Sequence, residues 1–452
     1  MSSANASTRP VRDSAAAVNR WWQMVAAVIA MMAIANLQYA WTLFTTPLTK
    51  SLGATLAAVQ VAFAAFVLAE TWLVPFEGAL VDYFGPRAII MAGGVLVGLG
   101  WIGSGLTASL GGLYFWYAVG GIGAGAVYGA CIGHALKWFP DHRGMCAGFV
   151  AGAYGIGTAV TVAPIAAMMK ASGYSHTFVV WGTIQGIVVL LMGLFIVRPP
   201  DGWLPAGWSA EKEAAVRARI NTSAVDLRPR EMLTHGSFWV IYLMMALMAF
   251  TGLVITAQVN PIAKFYHVDK VVVAFGMTAL VLAIQIERIL NGLTRPFWGW
   301  VSDHIGRENT MFIAFGLQSL TIVALLYLIH RPVWFVVLSG LAFFSWGEIF
   351  SLFPSVTGDL FGRKYATTNY GIVYTAKGVA SIFAGPVAAL ARHATGSWIP
   401  IFWVMVLCSA VDSILALVLL KPLARRTVRL SLGLSTAAAP PVAPATPSMA
   451  AD

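Results

Sequence analysis

The stretch that decides the fold is PFEGALVDYFGPR, residues 75–87, because it returns in the second half of the chain as PFWGWVSDHIGR, residues 296–307. Superposed with a shift of 221 positions, the two strings share a proline, a phenylalanine, two glycines and an aspartate. Two shorter echoes follow the same order, PLTK (47–50) with PIAK (261–264) and WF (138–139) with LF (360–361). The repeats indicate a chain of two related halves.

Apolar stretches surround both strings and recur along nearly the whole chain. Each has about 20 residues, enough to cross a hydrocarbon core of roughly 30 Å as a helix. Only 10% of the 452 residues are charged and 59% are hydrophobic, whereas a soluble protein carries roughly 25% charged residues. The sequence predicts an all-α membrane protein with twelve transmembrane helices in two pseudo-symmetric six-helix bundles. The predicted spans are 21–45, 54–80, 87–107, 112–136, 144–169, 176–197, 236–261, 271–299, 309–329, 332–356, 366–391 and 398–420.

A six-helix unit repeated in parallel is typical of carriers whose two halves rock around a site at the membrane midplane. The charged, proline-containing segment between the bundles is suited to a linker, and the tail is rich in alanine, proline, threonine and serine. The predicted organisation is a cytoplasmic N-terminal segment 1–20, an N-terminal bundle 21–197, a cytoplasmic linker 198–235, a C-terminal bundle 236–421 and a disordered cytoplasmic tail 422–452.

The net charge of +10 reflects orientation in the bilayer and does not indicate nucleic-acid binding. With a cytoplasmic N-terminus, 19 basic residues fall on the cytoplasmic side and six on the other, a positive-inside bias that places both termini in the cytoplasm. The three cysteines show no metal-ligand or disulfide spacing. We expect a monomer in the lipid bilayer with no metal and no cofactor.

The remaining three basic residues, Arg288, Arg295 and Lys377, lie inside predicted spans. A charge at the bilayer centre costs at least about 2.5–3.5 kcal/mol, so such residues are candidates for function. The repeat places Val74 opposite Arg295 and Gly155 opposite Lys377, which means that the shared scaffold does not require either cation. An arginine fork and a lysine on separate helices suit a small carboxylate held between them; for Arg295 the alternative is a side chain that extends to the membrane surface.

Aromatic residues on other spans are candidates for the walls of such a site. Tyr128 and Phe350 are equivalent under a shift of 222, which makes them more informative than the rest. Taken alone, each residue fits ordinary packing better than a site wall. The candidate wall residues are Tyr39, Trp41, Tyr128, Trp346, Phe350 and Tyr374.

The G-x-x-x-D-x-x-G-x-R string at 78–87, with its copy at 299–307, resembles the cytoplasmic signature of the major facilitator superfamily. In that superfamily the aspartate pairs with helix ends and basic groups and helps to lock one conformation, and a helix N-terminus does favour a carboxylate. The alternative is that these residues only stiffen a turn. The gating residues implied are Asp82, Arg87, Asp303 and Arg307.

A longer resemblance covers essentially the whole transmembrane region and is to the bacterial oxalate–formate exchangers. It is carried by LQYAWTLF (37–44), VYGACIG (127–133), WFPDHRG (138–144), NGLTRPFWGWVSDHIGR (291–307), FFSWGEIFSLFPS (343–355) and NYGIVYTAKGVASIFAG (369–385). The resemblance implies a location in the bacterial inner membrane. It also implies that Arg295 and Lys377 bind the carboxylates, in a site lined by Gln38, Tyr39, Tyr128 and Trp346.

The chain departs from that family at several positions. Phe350 stands where the exchanger has a tyrosine, and Tyr374 where it has a tryptophan. Four extra ionisable residues lie within spans: Glu70, Glu287, Arg288 and Glu348. Glu70 is open to three interpretations, a proton site, a counter-ion or a residue in a wet cavity, and Glu287 is a second candidate for a proton or counter-ion site. Because adjacent residues on a helix point about 100° apart, Glu287 and Arg288 are not expected to face each other.

The expected function is secondary active transport of small carboxylates by alternating access, through anion exchange of the oxalate/formate type. If both cations lack a counter-ion, the empty carrier reorients slowly and exchange becomes obligatory. The rival is proton-coupled monocarboxylate symport, but Asn291 occupies the position where a related branch has a protonatable aspartate. A carboxylate-sensing receptor would need an output domain. An enzyme is not expected, since His134 has no partnering nucleophile or metal set, and the lack of a nucleotide-binding loop indicates secondary rather than ATP-driven transport.

Overall fold

The computed structural model describes residues 19–139, 143–199, 209, 226–362 and 365–437, and nearly all of them are helical. A helix pairs every interior N–H with a C=O of its own segment, which is the condition for burying a backbone in hydrocarbon. The helices before the linker are α1 Arg20–Tyr39, α2 Trp41–Ser51, α3 Leu56–Trp72, α4 Val74–Phe84, α5 Pro86–Leu106, α6 Leu110–Trp138, α7 Arg143–Ile156 and α8 Thr158–Phe195.

The elements after the linker are α9 Pro229–Met232, α10 Gly236–Phe265, β1 Val272–Ala274, β2 Met277–Thr278, α11 Ala279–Ile305, α12 Arg307–Leu328, α13 Pro332–Phe344, α14 Ile349–Phe361, α15 Ala366–Ile382, α16 Ala388–Thr395, α17 Ile399–Leu415 and α18 Lys421–Ala437. Single π-helical turns at Phe383–Val387 and Ala416–Leu420 join α15 to α16 and α17 to α18.

The helices agree with the predicted all-α membrane fold. Ten segments of the described chain are long and apolar enough to cross a membrane, by length and composition. One of them, Gly148–Phe195, has 48 residues and is interrupted at Gly173, whose φ is 81°, so its length suffices for two passes. Helix α11 has 27 residues and lies outside those ten because of its charged side chains. Twelve spans are consistent with this arrangement.

The repeated string has the same backbone geometry in both copies. Gly85 ends α4 with φ 83° and ψ 160°, and Gly306 ends α11 with φ 89° and ψ 155°. A positive φ is accessible to glycine at little cost, and each glycine lets the chain turn directly into the next helix. The shift of 221 read from the sequence therefore corresponds to a structural repeat.

Two expectations for local structure differ from the fold. Residues 271–278, predicted to begin the eighth span, form the β1–β2 hairpin, in which Phe275 and Gly276 have positive φ and the helix begins only at Ala279. The predicted disordered tail starts too early, since α18 continues through Ala437. Its face packs on α10, where the hydroxyl oxygens of Thr427 and Ser237 lie 3.3 Å apart. Most of the linker, residues 200–208 and 210–225, lies outside the described residues.

The N-terminal half (residues 19–199) and the C-terminal half (residues 226–437) contact each other at more than one level. Between the first half of α2 and the end of α10, Asn260 donates its side-chain and backbone N–H groups to Thr42 at 2.8 and 3.0 Å, and Lys264 donates to Thr46 at 2.8 Å. Deeper in the molecule, α7 lies against α11 and α3 against α15. These contacts enclose a set of polar side chains between the halves.

Candidate functional site

Lys377 is fully buried in the middle of α15, as its position in the sequence predicted. Its ammonium group donates three hydrogen bonds: to Gln38 Oε1 at 2.9 Å, to Glu70 Oε2 at 2.9 Å and to the Tyr374 hydroxyl at 3.0 Å. Three donors with three acceptors satisfy the hydrogen-bonding capacity of the ammonium group. Gln38 and Glu70 belong to the N-terminal half, so this lysine links the two halves.

Glu70, on α3, is the ion-pair partner of Lys377, and both side chains have 0% exposure. Its second oxygen, Oε1, accepts a hydrogen bond of 2.9 Å from the hydroxyl of Tyr154 on α7. That same hydroxyl lies 3.1 Å from Gln38 Oε1. Among the three interpretations left open by the sequence, the geometry matches that of a counter-ion, since a carboxylate with both oxygens bonded is held in one orientation.

A close approach of α3 and α15 brings this pair together. A Cβ atom at Gly378, the residue after Lys377, would lie only 2.5 Å from the Thr71 hydroxyl and 2.7 Å from the Trp72 indole nitrogen. The indole N–H of Trp72 in turn donates to the backbone oxygen of Thr375 at 3.1 Å. Glycine lets the two backbones pack at this distance, and the residue before Thr71 then reaches Lys377.

Arg295, on α11, is also buried, with 1% exposure, and points toward the same cluster. Its guanidinium donates to the backbone oxygen of Ala151 on α7, across the boundary between the halves. Its Cζ atom lies 4.5 Å from the ring centroid of Phe350, and Lys377 Nζ lies 5.6 Å from that same centroid. The two cations predicted to act together therefore share one aromatic ring.

The predicted aromatic walls also meet here. Tyr128 stacks on Tyr374 with ring centroids 5.8 Å apart, and its edge meets Tyr154 at 5.4 Å. Phe350 lies 5.3 Å from Trp346 and 6.1 Å from Tyr374. Aromatic rings exclude water and present π faces that attract cations, which suits a site built around a lysine and an arginine.

Trp346 is a wall residue of the site whose ring is held in place by contacts with α10. Its indole N–H donates to the backbone oxygen of Met248 at 2.9 Å, and the ring packs against Gly252 of α10. It lies in the break between α13 and α14, where the chain turns at residues 345–348. Trp41, the other predicted wall residue, donates to Gln60 at 2.9 Å and packs on Tyr117 at 4.5 Å, so it belongs to the packing of the N-terminal half.

The expectation that Glu287 and Arg288 do not face each other is wrong. Arg288 donates to Glu287 Oε2 at 2.9 Å, and both side chains are buried. The Cα–Cβ directions diverge, but an arginine side chain is long enough to fold back along the helix. Its Cζ lies 4.2 Å from the ring of Tyr39 and 4.1 Å from that of Phe343, so the guanidinium is held between two aromatic faces.

Several buried polar groups around these cations have no hydrogen-bond partner among the described residues. In most proteins more than nine-tenths of buried polar groups are paired, so a cluster of exceptions calls for an explanation. The unpaired donors near the cations are Gln38 Nε2, the Tyr39 hydroxyl, Arg288 Nε and Nη1, Asn291 Nδ2 and Arg295 Nε. Such donors fit an anion with carboxylate oxygens better than they fit an apolar ligand.

The predicted gating residues lie elsewhere. The side chains of Asp82 and Asp303 lie outside what the structure describes. Arg87 donates through Nε to the backbone oxygen of Ile196 at 3.0 Å, at the end of α8. Arg307 pairs with Asp359 of α14 at 3.1 Å and also donates to Ser302. Both arginines thus tie helix ends together, within their own halves.

Sequence reasoning missed Tyr154, which bonds to Glu70 and packs 5.3 Å from Tyr39. The repeat offered no signal for it, because its equivalent under the shift of 222 is Ala376. His134 is buried beside Trp138, with 6.3 Å between ring centroids. Within the described ranges no group of three or more His, Cys, Asp or Glu side chains is arranged to hold a metal ion.

Comparison with known proteins agrees with the fold. A model of the Major Facilitator Superfamily matches residues 25–384 and, in a second overlapping match, residues 288–446. The oxalate:formate antiporter of Oxalobacter formigenes is 37% identical over 375 residues, which cover 82% of this chain and 84% of that protein.

Two further relatives are more distant. The uncharacterized MFS-type transporter YhjX of Escherichia coli K12 is 25% identical over 80% of this chain and 86% of its own length. Monocarboxylate transporter 12-B of Danio rerio is 21% identical over 73% of this chain and 72% of that protein. Proteins of this kind are transporters, which confirms the expectation that the chain is not an enzyme. The chain is a multi-pass membrane transporter that belongs to the major facilitator superfamily and, within it, to the oxalate–formate antiporter family.

Proposed function

We propose that this transporter exchanges small carboxylates of the oxalate/formate type by alternating access, with Arg295 and Lys377 as the groups that bind the anion. The observation that carries the proposal is the meeting of these two buried cations on the ring of Phe350. Buried cations are retained in a membrane protein where they serve a substrate or ion path, because their burial is costly.

The lining of the site supports a small planar anion. Gln38, Tyr39, Tyr128, Trp346, Phe350 and Tyr374 are all buried, and they enclose the cations from both halves. A carboxylate accepts hydrogen bonds at both oxygens, so it can satisfy donors such as Arg295 Nε and the Tyr39 hydroxyl together. The name of the relative that is 37% identical, an oxalate:formate antiporter, points to the same class of substrate.

The balance of charge favours exchange. The support comes from one cation that lacks a counter-ion, and not from two as the sequence had suggested. Lys377 is paired with Glu70 and Arg288 with Glu287, while Arg295 has no carboxylate partner among the described side chains. A buried cation without a counter-ion is destabilising, and a bound anion relieves that cost. The empty carrier therefore crosses between its two conformations less readily than the loaded carrier.

The second candidate function is proton-coupled monocarboxylate symport, and the Lys377–Glu70 pair is the observation in its favour. This pair joins the two halves, so a proton on Glu70 would release Lys377 each time the halves separate. The position at which a related branch has an aspartate is Asn291, a residue that does not take up a proton. Symport would therefore depend on Glu70, with Glu287 already engaged by Arg288.

The remaining assignments belong to the same proposal. The positive-inside bias places both termini in the cytoplasm of a bacterium, with a monomer spanning the inner membrane as two bundles, 21–197 and 236–421. The proposed gate comprises Asp82, Arg87, Asp303 and Arg307, at the two copies of the repeated string, where Arg87 and Arg307 each tie helix ends within one half.

Purified protein in proteoliposomes tests the proposal. Vesicles preloaded with labelled oxalate or labelled formate are diluted into buffer that contains oxalate, formate or no carboxylate, with and without a pH gradient. Exchange predicts release only when a carboxylate is present outside. Release into carboxylate-free buffer that follows the pH gradient would favour symport instead, and retention of label under every condition would refute carboxylate transport.

A further inference from the structure

The anion-binding position of Lys377 is already filled by the chain itself. Glu70 Oε2 lies 2.9 Å from Lys377 Nζ, and Glu70 Oε1 accepts the hydroxyl proton of Tyr154 at 2.9 Å. The carboxylate therefore has the partners that a bound carboxylate would have, a cation on one oxygen and a phenol on the other. Its planar group is held in place from α7 and α15, on two different halves.

Among the described residues, the other acidic side chains leave one buried cation of the site without a counter-ion. Arg288 is paired with Glu287 at 2.9 Å. Glu77 and Glu348 are also buried, but in the described part of the chain neither carboxylate has a cation or a hydrogen-bond donor within reach. Arg295 contacts the backbone oxygen of Ala151 and the ring of Phe350 but no carboxylate of the described residues.

We propose that the site accepts a single negative charge, so that this transporter selects monocarboxylates, with Glu70 in the place that the second carboxylate of a dicarboxylate would take. This inference rests on the proposed function and narrows its substrate class. In this narrower form of the proposed site, the substrate carboxylate contacts Arg295 and the unpaired donors Gln38 Nε2 and Tyr39 OH directly. Lys377 supports binding from its pair with Glu70, because it neutralises a carboxylate that would otherwise repel the anion.

Electrostatics gives the reason that a dicarboxylate is disfavoured. Its second carboxylate would have to approach Lys377, where it meets the negative charge of Glu70 at nearly the same position. Like charges a few ångströms apart in a protein interior repel by an amount that corresponds to at least about a tenfold loss of affinity. Removal of the charge at residue 70 leaves Lys377 and Arg295 both available, as a dicarboxylate requires.

Oxalate and oxamate provide a direct test, because they have nearly the same size and differ in one carboxylate that is replaced by an uncharged amide. Purified wild-type protein in proteoliposomes is loaded with labelled formate, and external formate, oxamate or oxalate is supplied at neutral pH. We expect formate and oxamate to release the label with at least about tenfold lower half-maximal concentrations than oxalate. In Glu70→Gln we expect the preference to reverse in favour of oxalate.

Asp412→Asn is the matched control, since it makes the same chemical change on α17 at an acid that is buried but has no hydrogen-bond partner in the site. Its preference should equal that of the wild type. Equal use of oxalate and oxamate by the wild type overturns the inference, with no variant required, as does a Glu70→Gln protein whose preference is unchanged. If Glu70→Gln does not fold, the wild-type comparison alone decides.

Failure of the proposed function gives a different experimental result from failure of the selectivity inference. If none of the three anions releases formate from wild-type vesicles, carboxylate exchange itself is refuted and the narrower inference falls with it. If oxalate and oxamate both exchange at similar concentrations, carboxylate exchange stands and only the selectivity for a single charge is refuted.

Discussion

Two buried ion pairs in the described part of this transporter differ in what they join. Lys377 and Glu70 are 307 residues apart and connect the C-terminal half to the N-terminal half. Arg288 and Glu287 are neighbours on one helix and move together with it. A pair between halves must be broken or rearranged when the halves rock, whereas a pair within a helix persists through the cycle. The first pair is placed to take part in transport, and the second to keep a charged side chain stable inside α11.

The largest effect is expected from Lys377→Gln. The substitution removes a cation and leaves Glu70 buried with only Tyr154 as a donor. We expect exchange to fall at least about 100-fold, since loss of charge-assisted hydrogen bonds of this kind costs about 3 kcal/mol or more. Counterflow in proteoliposomes measures it, and elution of the purified variant as a single species shows that it is folded. Lys170→Gln, at an exposed residue, is the control; near-normal exchange by Lys377→Gln would refute the site.

Arg295→Gln should have a similar or slightly smaller effect. The arginine is the one intramembrane cation without a carboxylate partner in the described chain, so its loss removes the charge left for the substrate. We expect about a 100-fold loss of exchange, and only partial recovery in Arg295→Lys, because an ammonium does not form the two parallel bonds of a guanidinium. Full activity of Arg295→Lys in the same counterflow assay would argue against a fork-like contact.

Glu287→Gln is expected to affect stability more than transport. It leaves the buried Arg288 without its counter-ion, between the rings of Tyr39 and Phe343. Breaking such a pair costs about 3–5 kcal/mol, which thermal unfolding in detergent detects as a lower Tm. The double variant Glu287→Gln, Arg288→Met should regain much of that loss. If Glu287→Gln changes the preference among carboxylates while its Tm is unaltered, the Arg288–Glu287 pair acts in transport, and the proposed difference between the two pairs is refuted.

Phe350→Tyr should have the smallest effect. It restores the hydroxyl found at this position in the family, on the ring that faces both Arg295 and Lys377. One added neutral hydrogen bond is worth about 0.5–1.5 kcal/mol, so the half-maximal carboxylate concentration should fall about two- to tenfold. The matched change Phe353→Tyr, on the same helix but packed on Phe315, should not lower it. A higher half-maximal carboxylate concentration in Phe350→Tyr would indicate that the site has no room for the added hydroxyl.

Much of this site was predictable from sequence because membrane burial makes charge conspicuous. Lys377 could be placed in mid-helix from its apolar neighbours alone, and the repeat showed through Gly155 that the scaffold does not demand it. Gly155 has a different task, since a Cβ atom there would lie 2.9 Å from the backbone oxygen of Asn291 on α11. The same position in the two halves thus serves helix packing in one and charge in the other.

The partners of the charged residues were not predictable. The repeat has an alanine, Ala376, at the position equivalent to Tyr154, and Glu70 had three equally acceptable interpretations. The diverging Cα–Cβ bonds of adjacent helical residues suggested the opposite of what occurs at Glu287 and Arg288, because a long arginine side chain can fold back along its helix. Hydrogen bonds between distant residues depend on which helices pack together, a property of no single segment.

The sequence by itself determined that the chain is an all-α membrane protein of two repeated halves with cations in its second half. Apolar length, helix-ending glycines and the cost of intramembrane charge act locally, so they can be read along the chain. Only the tertiary structure decided that Glu70 pairs with Lys377 and that Arg295 lies on the ring of Phe350 without a carboxylate partner among the described residues. The packing of α3 against α15 at Gly378 sets those distances, and hydrogen bonds and ion pairs depend on distance far more steeply than helix formation does.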